Sequence, residues 1–268
     1  MSATTASPRP IDIGSTPPVP MSRLARVEFR KALDTRAGRW FTISIVGLCL
    51  VVVIIYALAV PEANQNYGDF LGVAGGVLGY FLPILVILLV TSEAGQRTGL
   101  VTFTLEPRRS RIVIAKFLAG IVLAAAVMVL AAVMAAIGTV LGTVFDGGSP
   151  SWTPDGNLVF NGFVLSNLVG VFIGFAIAML LMNTPAAIVG YFVYSLILPG
   201  VVGFLSYLSE GFEKVAPWIE FNTAQMPLFT GDYQPSAEQW AQIAVSGTIW
   251  LIIPLTLGVL RLLRVEFK

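Results

Sequence analysis

The chain has no histidine, one cysteine and few charged residues, and each scarcity excludes a class of function. Without histidine, the sequence lacks the commonest metal ligand and the usual proton-relay side chain. The single cysteine, Cys49, cannot form an intramolecular disulfide and is expected to be a small packing residue. Charged residues make up 12% of 268 residues, about half the share usual in soluble domains. With 56% hydrophobic residues, this composition predicts a polytopic membrane protein.

Motifs for catalysis and nucleotide binding are also missing from the sequence. No G-x-x-x-x-G-K-[ST] segment occurs, so the chain is not expected to bind ATP phosphates through a P-loop. No charged residue lies in the middle of an apolar run, whereas ion-coupled transporters usually need ionisable groups within the membrane. We therefore predict no catalytic, metal or cofactor site in this chain. A transporter of this kind would take its energy from a partner.

Six apolar runs are long enough to cross a bilayer, which predicts an all-α fold. The predicted transmembrane helices cover about residues 40–60, 69–90, 117–145, 158–182, 186–208 and 240–263, within a membrane domain of residues 40–268. The proline-rich residues 1–20 predict a disordered tail. Residues 209–239 are too polar to span but rich in aromatic side chains, so they predict an apolar, re-entrant segment between the fifth and sixth helices.

Residues 21–39 have the pattern of an amphipathic helix. Met21, Phe29 and Leu33 fall on one side of the helix, whereas Arg23 and Arg30 fall on the other. Such a helix is expected to lie in the membrane interface. The alternative is a solvated helical linker.

Glycine and proline residues mark special points in the spans. The second span contains the G-x-x-x-G pairs 72/76 and 75/79, and the fourth contains the pair 170/174. This spacing lets helices approach closely, and in a multi-span protein it favours internal packing over a dimer face. Pro199 and Gly200 predict a break near the outer end of the fifth span.

The basic residues are distributed very unevenly about the predicted spans. Of the 16 lysines and arginines, 15 lie on one side, and only Lys214 lies on the other. The positive-inside rule makes the basic side cytoplasmic, and both termini then lie inside, as an even number of spans requires. We expect a multi-pass protein of a plasma membrane, bacterial by this layout.

The segment from Thr91 to Lys116, TSEAGQRTGLVTFTLEPRRSRIVIAK, resembles the type-2 permease family of ATP-binding cassette (ABC) transporters. The resemblance rests on Ser92-Glu93, Thr98, the Glu106-Pro107-Arg108-Arg109-x-Arg111 run, and Lys116 before a long span. The junction between the fourth and fifth spans, residues 180–189, is similar as well. Two positions depart from the pattern: Arg97-Thr98-Gly99 stands where the family has Gly-Thr, and Met182 where a basic residue is common.

This resemblance implies a half-transporter that works in an exporter. Two permease subunits, identical or different, would pair in the bilayer, each on a cytoplasmic ABC ATPase subunit that holds ATP and Mg. No nucleic acid partner is expected. The alternatives are a membrane transporter or channel outside the ABC class, and a non-transporting membrane scaffold. The residues expected to couple to the ATPase are Glu93, Arg97, Thr98, Glu106, Pro107, Arg108, Arg109 and Arg111.

Two of these expectations have simpler alternatives. The basic segment can instead be a loop that anchors topology and touches anionic lipid headgroups. Uncommon polar and aromatic residues in the spans suggest a substrate path, although aromatic side chains in helices more often only pack. An apolar, charge-free interior favours a hydrophobic or amphiphilic substrate such as a drug, lipid or lipopeptide. The candidate path residues are Tyr80, Phe81, Asn167, Tyr191, Tyr194 and Ser195.

Overall fold

The computed structural model describes residues 19–61, 65–96, 108–146, 151–152, 156, 158–228 and 235–264, and this part of the chain is helical and contains no strand. The first four helices are α1 (Met21–Asp34), α2 (Arg36–Ala59), α3 (Tyr67–Gln96) and α4 (Arg109–Asp146). Helix α5 combines a π-helical part, Leu158–Leu165, with an α-helical part, Ser166–Leu181. The remaining helices are α6 (Thr184–Leu208), α7 (Glu210–Ile219), α8 (Phe221–Gln225) and α9 (Ala237–Leu263).

Six of these helices are long and apolar enough to cross a membrane, namely α2, α3, α4, α5, α6 and α9. Large apolar side chains cover their outer surfaces; in α2, for example, Ile43, Val51 and Ile55 are all more than half exposed. Such surfaces are stable in a hydrocarbon solvent and costly in water. The prediction of an all-α, multi-pass membrane protein with six spans is confirmed.

Helix α3 forms the centre of the bundle. It packs against α2, α4, α5 and α6, and 61% of its most apolar stretch is buried, the largest share of any span. Phe70, Leu78, Leu82 and Leu85 are fully buried along it. The neighbouring spans therefore pack around α3.

Pro83 interrupts the hydrogen-bond ladder of α3 without breaking the helix. Proline has no N–H, so the carbonyl of Gly79, four residues earlier, loses its helical donor. The hydroxyl of Tyr191 on α6 donates to that carbonyl over 2.7 Å. A side chain from a neighbouring helix thus replaces the missing backbone bond, which a membrane interior requires.

The glycines of α5 allow a close helix contact with α3. A Cβ at Gly174 would lie 2.9 Å from both the Cβ and the carbonyl oxygen of Pro83, and one at Gly170 would lie 3.2 Å from Pro83 Cγ. The 170/174 pair therefore serves internal packing, with its backbone pressed against the ring and backbone of Pro83.

The predicted break at Pro199 and Gly200 is wrong, since α6 continues to Leu208. A π-helical turn at Val193–Ile197 directly precedes the proline. The same arrangement recurs in α9, where the π-helical turn Thr248–Ile252 precedes Pro254. The wider turn accommodates a proline ring and its missing donor without ending the helix.

Helix α1 is shorter than residues 21–39 and ends at Asp34. Thr35 is extended, and its side chain accepts a hydrogen bond from the Gly38 N–H, so it caps α2 instead of continuing α1. Helix α1 packs against α4 and α2. Its two buried residues are Ala32 and, unexpectedly, Glu28.

Between α6 and α9 the chain forms two short helices at the end of the bundle away from α1. Ser209 caps α7, and Glu220 caps α8. The indole N–H of Trp250 on α9 donates to the carbonyl of Ile219 over 2.8 Å, which holds this outer segment (residues 209–228) against the spans.

Candidate functional site

Arginines at the start of α4 hold together one end of the bundle, hereafter the basic end. The guanidinium of Arg109 donates to the carbonyl of Leu262 in α9 over 2.8 Å. Arg111 donates to the carbonyl of Val19, just before α1. Arg108 directly precedes the first turn of α4, and its side chain is exposed. The start of α4 is thereby bonded to α9 and to the residues just before α1.

A buried ion pair lies one layer deeper at the basic end. The Lys116 ammonium on α4 bonds to one carboxylate oxygen of Glu28 over 2.8 Å, and Lys31 bonds to the other over 2.7 Å. The Glu28 and Lys116 side chains are 6% and 7% exposed. We expected Lys116 at a span end, but it lies two turns inside α4 and holds α1 against it.

The predicted ATPase-coupling residues fall into two groups. Glu93 lies within α3, and its side chain is outside the described part of the structure. Arg97, Thr98, Glu106 and Pro107 lie outside the described residues altogether. Arg108, Arg109 and Arg111 are brought together at the start of α4, where Arg109 and Arg111 bond to carbonyls of their own chain. Of these three arginines, Arg108 presents the most exposed side chain.

A cavity of about 500 Å³ lies in the half of the bundle away from the basic end, beneath the outer segment. This volume is in the range of sites that hold small molecules. The described residues that line it are uncharged. They are Gly72, Gly75, Gly76, Gly79 and Tyr80 of α3; Gly162, Ser166, Val169 and Gly170 of α5; Tyr191, Tyr194, Ser195 and Pro199 of α6; and Asn222, Gln225 and Met226 of the outer segment.

The structure brings most of the predicted path residues to this cavity. Tyr80, Tyr191, Tyr194 and Ser195 line it. Asn167 lies behind Gly75, where a Cβ would be 3.6 Å from its amide nitrogen, and is 1% exposed.

Phe81 does not line the cavity. Its ring packs against Phe41 of α2, with 6.3 Å between the ring centroids.

The glycines of α3 form an open wall instead of a packing face. A Cβ at Gly72, Gly76 or Gly79 would meet no atom within 4 Å, whereas one at Gly75 would lie 2.9 Å from the ring of Phe163. The expectation of internal packing is thus wrong for three of these four glycines. Their bare backbone lets a ligand approach α3 more closely than any side chain would allow.

Sequence reasoning missed Glu220, which does not line the cavity but bonds to the cavity residue Asn222. Its side chain is fully buried and accepts four hydrogen bonds, from the backbone N–H groups and side chains of Asn222 and Thr223. Hydrogen bonds donated to both oxygens favour the charged form of a carboxyl group. The run Glu220-Phe221-Asn222-Thr223 has a capping pattern that signals the helix start, but not its burial.

The arrangement suits the binding of a ligand. Tyrosine, serine, asparagine and glutamine supply hydrogen bonds and aromatic contact, and within the described residues no group of three histidine, cysteine or acidic side chains could hold a metal. No protein-family model and no curated protein matches the chain, so its function rests on its own sequence and geometry.

Replacing Tyr191 with phenylalanine is expected to lower the free energy of unfolding by about 1–3 kcal/mol. The change keeps the ring but leaves the Gly79 carbonyl without a donor in an apolar interior. The Tm in detergent, followed by modification of the single cysteine with a thiol-reactive dye, measures this loss, since Cys49 is 1% exposed in the folded chain. Tyr80→Phe, in the same cavity, is the control and should leave the Tm unchanged. Equal stability of the two variants would show that the Tyr191 hydroxyl does not replace the missing bond.

Proposed function

We propose that the chain is the permease subunit of an ATP-driven exporter of the ABC class and moves an amphiphilic substrate. The observation that carries this proposal is the uncharged cavity of about 500 Å³ within a six-span bundle. The membrane character of the chain is established by its spans. The transport role and the ATPase partner are inferences from the cavity, the basic end and the resemblance of residues 91–116.

The cavity has the place and size that a transported molecule needs. It lies between three spans, and its floor on the side of the basic end is formed by the close contact of Pro83 with Gly170 and Gly174. A substrate could cross only if α3 and α5 or α6 moved apart there. Since uncharged residues line the cavity, the work of that movement is expected to come from a partner and not from a bound coupling ion.

The basic end offers a route for such work. The start of α4 directly follows the segment that resembles a coupling helix, and its arginines are bonded to α9 and to the residue before α1. A force applied at Arg108 would therefore reach three helices together. The charge distribution favours a cytoplasmic location for this end, where a soluble ATPase subunit would bind.

A second permease subunit would complete the transporter. Helices α2, α6 and α9 bury the smallest shares of their apolar stretches, 22%, 17% and 17%. Lipid, a second copy of this chain or a different permease would cover these surfaces.

Affinity purification of the tagged chain from its native membrane in mild detergent tests the proposal. We expect a stoichiometric protein with a P-loop motif to co-purify, and we expect Arg108→Glu to lower its recovery at least tenfold. Arg108 is the informative position, because reversing Arg109 or Arg111 would also break contacts within this chain. Arg261→Glu, which breaks a bond to the Leu180 carbonyl at the same end, is the control for general damage. A chain that purifies alone in every detergent and nucleotide would identify a secondary transporter or scaffold instead.

A further inference from the structure

We infer that the cavity between α3, α5, α6 and the outer segment binds an amphiphilic organic cation. This inference deepens the proposed function by naming the substrate class. It concerns binding by the chain itself and needs no ATPase partner. Three features carry it: the orientation of the amides around the cavity, the tyrosine rings, and the charge of Glu220.

The side-chain amides at the cavity point their acceptors toward unfilled positions. The amide nitrogen of Asn222 donates to Glu220, that of Gln225 donates to the Phe221 carbonyl over 2.9 Å, and that of Asn167 donates to the Phe163 carbonyl over 2.8 Å. Each contact is to an oxygen atom, so the nitrogen must face it and the amide oxygen must face away.

Two polar atoms around the cavity are buried without a partner. One is Asn167 Oδ1, which lies behind Gly75. Ser195 Oγ is also buried without a partner, at the wall of the cavity. A buried acceptor without a donor is costly, so these atoms favour a ligand that brings donors.

Aromatic rings favour a cation over a neutral donor. Tyr80, Tyr191 and Tyr194 line the cavity, and the rings of Tyr191 and Tyr194 lie 6.2 Å apart. The face of a tyrosine ring attracts a cation, more strongly where water is excluded. Tyr191 and Tyr194 are 2% and 3% exposed, whereas Tyr80 is 42% exposed, so the Tyr80 ring is the one that a ligand can contact most readily.

Glu220 adds a net negative charge directly behind this lining. Its oxygens are saturated by four hydrogen bonds, which stabilise the charge but do not cancel it. In the part of the chain that the structure describes, no lysine or arginine forms an ion pair with Glu220. A carboxylate in this place makes the potential in the cavity more negative, and solvent screens a buried charge less than an exposed one.

The test compares two probes of matched shape and opposite charge, tetraphenylphosphonium and tetraphenylborate. Equilibrium binding is measured on the full chain in lipid nanodiscs. Each probe is measured alone, and we expect saturable binding of about one tetraphenylphosphonium per chain and none of tetraphenylborate. Saturable binding of the borate with equal affinity, or no saturable binding of the phosphonium, would overturn the inference. Because the wild-type chain is used, this result does not depend on how any variant folds.

Two pairs of variants locate the site. Gly76→Leu fills the open wall and should abolish saturable binding, whereas Gly203→Leu, also without an atom within 4 Å of its Cβ but outside the cavity, should not. Glu220→Gln should weaken binding about tenfold by removing the charge, while Glu213→Gln on the exposed side of α7 should leave it unchanged. Persistent binding in Gly76→Leu would place the probe elsewhere.

The outcome is independent of the proposed ATPase partnership. Cation binding by a chain that purifies alone would support the site and contradict the ABC assignment. If an ATPase co-purifies but the chain binds the two probes equally, the result would support the ABC assignment and contradict the cation site.

Discussion

Replacing Glu28 with alanine is expected to destabilise the chain by about 3–5 kcal/mol, which corresponds to a fall in Tm of roughly 10 °C. The change removes the Glu28 carboxylate, to which the Lys116 ammonium, 7% exposed, bonds over 2.8 Å. Lys116→Met should cost less, because Glu28 keeps Lys31 as a partner at 2.7 Å. Heating in detergent with a thiol-reactive dye measures both effects through Cys49.

A double variant separates the cost of the unpaired charge from the loss of packing. Glu28→Leu combined with Lys116→Met should recover most of the stability lost in Glu28→Ala, since apolar residues of similar size often replace a buried pair at little cost. Lys31→Ala, which removes a side chain that is 37% exposed, should change stability by about 0.5 kcal/mol at most. Full stability of Glu28→Ala would show that the pair does not hold α1 on α4.

Replacing Gly174 with valine is expected to cost about 3 kcal/mol and to disturb the floor of the cavity. Its Cβ would lie 2.9 Å from the carbonyl oxygen of Pro83, a backbone atom that cannot rotate away. Relief requires α3 and α5 to move apart, and overpacking of this kind commonly costs 1–3 kcal/mol or more. The Tm from Cys49 modification and the yield of monodisperse protein measure the effect.

Gly203→Val is the matched control for this change. Both glycines lie within helices, but a Cβ at Gly203 would meet no atom within 4 Å. Its stability should stay within about 0.5 kcal/mol of the wild type, as for most surface substitutions. A Gly174→Val protein as stable as Gly203→Val would mean that α3 and α5 are not in close contact at Pro83.

The spans could be predicted from the sequence because their cause is local. A run of about twenty apolar residues is stable in a bilayer as a helix whatever its neighbours are. End positions were less predictable: Thr35 ends α1 by capping α2 through Gly38, and Lys116 lies inside α4 and not at its start. Both depend on hydrogen bonds that compositional patterns do not reveal.

The site was partly predictable for the same reason. The tyrosines and Ser195 stand out in the sequence because polar groups are uncommon in apolar helices. In the structure they line the cavity. Whether a glycine stripe packs or faces open space depends on which helix lies opposite, and α3 has both cases, with Gly75 packed and Gly76 open. Glu220 escaped notice because its burial arises from the fold of the outer segment over α6 and α9.

The pairing of Glu28 with two lysines has a consequence for how the chain enters the membrane during synthesis. Glu28 and Lys116 are 88 residues apart, so at about 5–20 residues per second Lys116 is made roughly 4 to 18 s after Glu28. Lys31, three residues away on the same helix, can neutralise the carboxylate in the meantime. Helix α1 can thus lie at the membrane surface with the charge of Glu28 balanced by Lys31 until Lys116 is made. The bond between Glu28 and Lys116 can form only when the third span arrives, so this ion pair is completed only after the first three spans have been made.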